Sequence, residues 1–146
     1  MPTWTPARGA AALAEEFGTE EAVQILSTIL RGEETPAPLF LHVMTLIGNI
    51  QAASIKGPEG WNGWYEFPET WSARALGYLG GDQAEEALLE AADHPHWRVR
   101  RTIIRSLGWF AGPAALDTIA NARQDTDPRV RAQCAISEAK IMSRSS

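Results

Sequence analysis

The sequence predicts an all-α solenoid, and three observations carry that prediction. Arg98-Val99-Arg100 recurs as Arg129-Val130-Arg131, 31 residues on, and Leu76-Gly77 recurs as Leu107-Gly108 at the same interval. Self-similarity at a period of about 20 to 50 residues marks stacked units, none of which can bury its apolar face alone. Between these marks lie helical runs separated by short links of Gly, Pro, Asp or His. At 146 residues the chain fits one domain and has no need of a disulfide or metal staple to complete a core.

Taken in order, residues 7–17 and 19–31 read as helices. Thr19 stands as N-cap of the second, and Glu20 and Glu21 sit in its first turn, where negative charge suits the helix dipole. Ala22, Val23, Leu26, Ile29 and Leu30 supply its apolar stripe. Gly32, Pro36 and Pro38 break the chain. The run from Leu39 to Ile50 is apolar on nearly every side, the pattern of a helix packed between neighbours on both sides. Next comes IKGPEGWNGWYEFPE, with three glycines, two prolines and four aromatics and no helical period, which reads as an irregular insertion. A helix resumes near Pro68 or Glu69 and runs through Trp71, Ala75, Leu76 and Leu79 to Gly80-Gly81. Asp82 is the expected cap of a helix carrying Ala84, Ala87, Leu88 and Ala91 on one face. Residues 97–111, 113–124 and 128–142 complete the series, and the final Ser-Arg-Ser-Ser is expected to fray.

Each unit is thereby a helix ending in Leu-Gly, a turn, a second helix and a link. Counting back 31 from Leu88 lands on Gly57, in the aromatic segment, and counting back twice lands on Leu26, in a helix. Residues 51–66 therefore stand where a second helix is expected. The resulting division is a cap (1–18), a first helical pair (19–50), an irregular aromatic insertion (51–66), regular repeats (67–142) and a tail (143–146).

The stretch HPHWRVRRTIIRSLGWFAGPAALDTIANARQDTDPRVRAQCAISEA resembles HEAT repeats, in the short form of phycobilisome-lyase-type HEAT proteins, clearly over residues 69–142 and more weakly over 19–50. The resemblance implies a right-handed solenoid of about four helical pairs. It also implies that the Val-Arg arginines, Arg98, Arg100, Arg129 and Arg131, pair with an acidic residue of an inter-repeat turn: Asp93, Asp125 or Asp127. It implies further that the second helices line a concave face. It is specific for architecture and says little about activity.

Composition excludes several classes. A formal charge of −5 argues against a phosphate-binding surface and so against nucleic acid. The run Pro38 to Ile50 is too short to span a bilayer, and the N-terminus has no secretory pattern, so a cytoplasmic protein without a membrane partner is expected. Cys134, the only cysteine, falls among Ala132, Ala135 and Ile136 and reads as a small buried residue. His42, His94 and His96 do not make a metal set, and none is followed by Glu, as in the iron-holding HEAT-like hydroxylases. His42 reads as a hydrogen-bonded core residue. No nucleophile elbow, phosphate loop or triad spacing appears, so neither cofactor nor catalysis is expected.

Two features remain as candidate sites. On the exposed face of the second helices, Glu86, Glu90 and Asp93 align one period away from Asp117, Asn121 and Gln124, and two periods from Gln24, Thr28 and Arg31. With Glu85 added, this makes a mildly acidic face suited to a basic segment of a partner protein. Trp61, Trp64 and Tyr65 are the second feature, offering either an aromatic anchor or the filling of a gap in the stack. The leading expectation is a non-catalytic protein-interaction module using both features. The alternative is a small-molecule or chromophore handler, similar to lyase-type HEAT proteins, with a pocket at the aromatic segment.

Overall fold

The computed structural model describes residues 3–49 and 66–145, and among them every regular element is helical. In order these are α1 (Pro6–Phe17), α2 (Thr19–Leu30), α3 (Ala37–Gly48), α4 (Glu66–Leu79), α5 (Asp82–Glu90), α6 (Trp97–Phe110), α7 (Leu116–Ala122) and α8 (Pro128–Ser145). A 3₁₀ turn, Pro113–Ala115, leads into α7. The aromatic insertion at 51–65 lies outside the described residues, and α4 begins at Glu66.

Local chemistry sets most boundaries. Thr5 caps α1, its hydroxyl accepting from the Arg8 amide, and Pro6 occupies the first turn where no amide partner is needed. Gly18 then closes α1 and opens α2 at φ 85°, a conformation that a side chain strains. The turn therefore belongs to Gly18, and Thr19, the expected cap, is the first residue of α2. Asp82 is displaced in the same way, with Gly81 as the cap.

The helices form two layers. In one, α1, α4, α6 and α8 lie side by side; in the other run α2, α5 and α7. The core between them is aliphatic, with Leu13, Leu26, Leu76, Leu88, Ile103, Leu107 and Ile119 fully buried. The steps from α4 to α6 and from α6 to α8 use the same device, 31 residues apart. Ser106 donates to the Ala73 carbonyl at 2.9 Å and Ser137 to the Ile104 carbonyl at 2.8 Å. Opposite each serine sits a buried glycine, Gly77 or Gly108, on which a Cβ would meet the serine Oγ at 2.5 or 2.6 Å. Leu-Gly is therefore not a helix end. Its glycine lies inside the helix because adjacent first-layer helices approach too closely for a side chain.

Arg100 and Arg129 follow the pairing with an acidic turn residue that the resemblance implied, and Arg131 bonds a turn carbonyl instead. Arg100 makes a bidentate bridge to Asp125 at 2.8 and 3.0 Å and spans the turn carbonyls of His94 and Pro95. Arg131 repeats the latter contact with the Asp125 carbonyl, and Arg129 pairs with Asp127. Asp125 thus ties the α7–α8 link back to α6. Arg144 donates to the Gly108 and Ala111 carbonyls, so the tail extends α8 as ordered helix instead of fraying.

The N-terminal region departs from the expected register. α2 packs on α1, α4 and α5, and α3 packs on α1, so residues 19–50 do not form a helical pair with each other. Trp4 donates its indole N–H to the Leu46 carbonyl at 2.8 Å, Gly9 faces the same carbonyl, and His42 bonds Glu16 near the other end of α1. Only one face of α3 is buried, through Val43, Met44 and Ile47. His42 is exposed and bonded, not a core residue. The second-helix layer has no gap between α2 and α5: α2 packs directly on α5, and α3, which lies between them in sequence, packs on α1 and α4.

Candidate functional site

α5 is the middle helix of the second layer and carries the candidate residues Glu85, Glu86 and Glu90. It buries Ala84, Ala87 and Leu88, and the 3.6-residue period turns Glu86 and Glu90 outward. Between α2 and α5 lies a cleft of about 510 Å³ lined by Gln24, Thr28, Arg31, Glu86 and Glu90. Between α5 and α7 lies a second, of about 600 Å³, lined by Glu90, Asp93, His94, Asn121, Gln124 and Asp125. Glu90 borders both. The residues aligned by the period in sequence, Asp117 apart, thus line two adjoining clefts.

The charges on this face are unequal in availability. Arg31 is bonded to Glu33 beside it. Arg100 is committed to Asp125, whose carboxyl its hydrogen bonds hold below the usual carboxylate range. Burial, reinforced by the neighbouring His96 and Arg100, pushes the His94 imidazole down from its ordinary value, which leaves it neutral at neutral pH. Glu86, Glu90 and Asp93 have no cationic partner among the described residues.

The other expected site residues are placed differently. Glu85 turns away from both clefts and accepts from the Gly112 amide at 3.0 Å, bracing the corner after α6. Asp117 is exposed in the first turn of α7, beyond either lining. Asn121 lines the second cleft. Trp61, Trp64 and Tyr65 lie outside the described residues. Cys134 is fully buried, and burial raises its thiol pKa, as suits a packing residue.

One surface escaped the reading of net charge. Residues 94–146 carry nine basic and four acidic side chains, whereas residues 1–93 carry four basic and 14 acidic. The outward face of α6, opposite buried Ile103 and Leu107, presents Arg101 and Arg105. A segment-by-segment charge count would have found it. Among the described residues no helix is long and apolar enough to cross a membrane.

Two layers of short helices, with side chains of one layer lining continuous clefts, define a helical-repeat protein. Residues 70–138 match the family model for HEAT repeats, which supports a HEAT-repeat family for this chain. No curated protein and no solved structure matches it.

Proposed function

We propose that the chain is a non-catalytic protein-interaction module whose second-helix face receives a basic segment of a partner. The observation that carries this reading is the convergence of Glu86, Glu90 and Asp93 along two adjoining clefts, whose lining arginines, Arg31 and Arg100, are already bonded to Glu33 and Asp125. HEAT repeats commonly mediate protein–protein contacts, and the clefts have the extended form that such repeats offer. Gln24, Thr28, Asn121 and Gln124 supply hydrogen-bonding partners along the same path, so charge steers the ligand and amides fix its register. In this reading Trp61, Trp64 and Tyr65 add aromatic anchors to the same partner, and the protein works in the cytoplasm.

Fluorescence anisotropy with a labelled lysine- and arginine-rich peptide tests it. Glu86→Lys with Glu90→Lys should weaken binding by roughly tenfold or more and reduce its salt dependence. Equal binding by the wild type and the double variant, with unchanged circular dichroism, rules out the acidic face.

A further inference from the structure

The first-helix layer has a second surface on its outer side, away from the clefts. Its outward positions are Tyr78 on α4, Arg101, Arg105 and Trp109 on α6, and Ile136 and Lys140 on α8. They follow the repeat: Tyr78 and Trp109 are 31 residues apart, as are Trp109 and Lys140, and Arg105 and Ile136. Arg101, Arg105 and Lys140 have no carboxylate partner among the described residues. Tyr78 and Ile136, at 43% and 52% exposure, are among the large apolar side chains most open to solvent in the described residues.

We propose that this outer face docks on an anionic lipid surface. Cations interleaved with a protruding tyrosine and isoleucine match what an anionic bilayer interface offers: charged headgroups, a level where amphipathic rings settle, and an apolar edge below. A flexible acidic peptide would call for a groove. Both described clefts open on the other layer. Single-stranded nucleic acid would call for open ring faces on which bases stack. Here each ring already has a partner against one of its faces. Trp109 stacks on Tyr78 at 4.7 Å and has Arg105 over it at 5.4 Å, while Trp97 lies between Arg98 at 5.3 Å and Arg129 at 3.3 Å.

The net charge of −5 does not oppose this. Packed helix layers are about 8–10 Å apart, and the Debye length at physiological salt is about 8 Å. The carboxylates of the second layer are therefore largely screened from a surface touching the first. The bipolar charge orients the molecule, leaving the acidic clefts facing away from the lipid. The cytoplasmic leaflet carries anionic lipid of the required kind.

Co-sedimentation of the full chain with phosphatidylcholine vesicles, with and without phosphatidylserine, tests the proposal. Binding should require phosphatidylserine and fall with added salt. It should drop by roughly 25-fold or more in Arg101→Glu with Arg105→Glu, at about fivefold for each cation lost. Lys140→Glu, on the neighbouring helix and outside the Tyr78–Trp109 stack, should give a smaller loss in the same direction. Glu86→Lys with Glu90→Lys should retain lipid binding, which separates this surface from the clefts. No sedimentation with phosphatidylserine, equal sedimentation without it, or unaltered binding by a folded Arg101/Arg105 variant overturns the proposal. So does a single-stranded oligonucleotide that binds through Arg101 and Arg105 while the vesicles do not.

Discussion

The regular stack of α4, α6 and α8 and the N-terminal group of α1, α2 and α3 solve one problem by different means. Each must seat a helix against its neighbour. In the stack the seating is periodic and buried: a serine hydroxyl on a carbonyl, a glycine opposite it, and an arginine clamped on the next turn. In the N-terminal group it is made once and nearer the surface, by the Trp4 indole on the Leu46 carbonyl, the Arg74 guanidinium on the Ile47 carbonyl and the His42–Glu16 pair. The difference teaches that a repeat period records how a helix is packed more than where it ends. The two regions should consequently answer very differently to small changes.

The largest effect is expected at Gly108. A Cβ there would meet Ser137 Oγ at 2.6 Å, its Cβ at 2.8 Å and its Cα at 2.9 Å, so both side chain and backbone stand in the way. Gly108→Val should cost about 3 kcal/mol by chemical denaturation, since overpacking forces the helices apart. The equivalent change at Gly77 meets only the side chains of Ser106 and Trp109 and should cost less. Equal costs at the two sites would mean that the α6–α8 approach is no tighter than that of α4 to α6.

Next comes the clamp. Arg100 and Asp125 have side chains 15% and 11% exposed, so removing one partner strands a mostly buried charge. Asp125→Ala should cost about 2 kcal/mol, below the usual range for buried pairs because Arg100 keeps its two carbonyl acceptors. The pH dependence has a definite sign. Hydrogen bonds from Arg100 hold the Asp125 carboxyl below its ordinary value, so its contribution is full above that value and is lost as pH falls through the lowered one. Asp127, held at about 2 by Arg129, titrates in the same direction from 3.8 downward. Denaturation of wild type and Asp125→Ala from pH 7 to pH 2 should show the gap between them closing in acid. A gap independent of pH would contradict the clamp.

A smaller pair of effects has opposite signs. Ser106→Ala loses a buried hydrogen bond to the Ala73 carbonyl and should cost about 1 kcal/mol. Ser72, fully buried in α4 with no hydrogen-bond partner for its hydroxyl among the described residues, should be neutral or stabilising as alanine, by up to about 1 kcal/mol. Destabilisation by both to the same extent would show that Ser72 has an acceptor in solution.

Much of this was legible in the chain, for identifiable reasons. The 31-residue recurrence of Val-Arg and Leu-Gly reports side chains in fixed contacts, and both contacts are present. The alignment of Glu86 and Glu90 with Gln24, Thr28 and Asn121 held because residues at one register of stacked helices share a face. The adjacency of α2 and α5 was hidden, because about one period of chain separates α2 from α4 and so keeps the register. Residue counting cannot distinguish a repeat from an insertion of equal length. The role of Glu85 was hidden too: its partner is the Gly112 amide, and backbone donors leave no mark in sequence. The basic outer face was visible in the charges but lost in their sum.

The N-terminal group supplies the smallest expected effect. His42 and Glu16 are 44% and 48% exposed, and the imidazole also meets the edge of Phe17 at 6.3 Å between ring centroids. Solvent screens such a pair, and holding two mobile side chains together offsets most of the Coulomb gain. A double-mutant cycle of His42→Ala and Glu16→Ala should therefore give a coupling of about 0.5 kcal/mol or less at neutral pH. This is the counterpart of the Arg100–Asp125 measurement, on a pair similarly distant in sequence but open to water. A coupling as large as that of the clamp would mean that α3 is held on α1 chiefly by this contact; the expected value instead leaves that work to Val43, Met44 and Ile47, whose burial turns α3 toward its neighbour whether or not His42 is present.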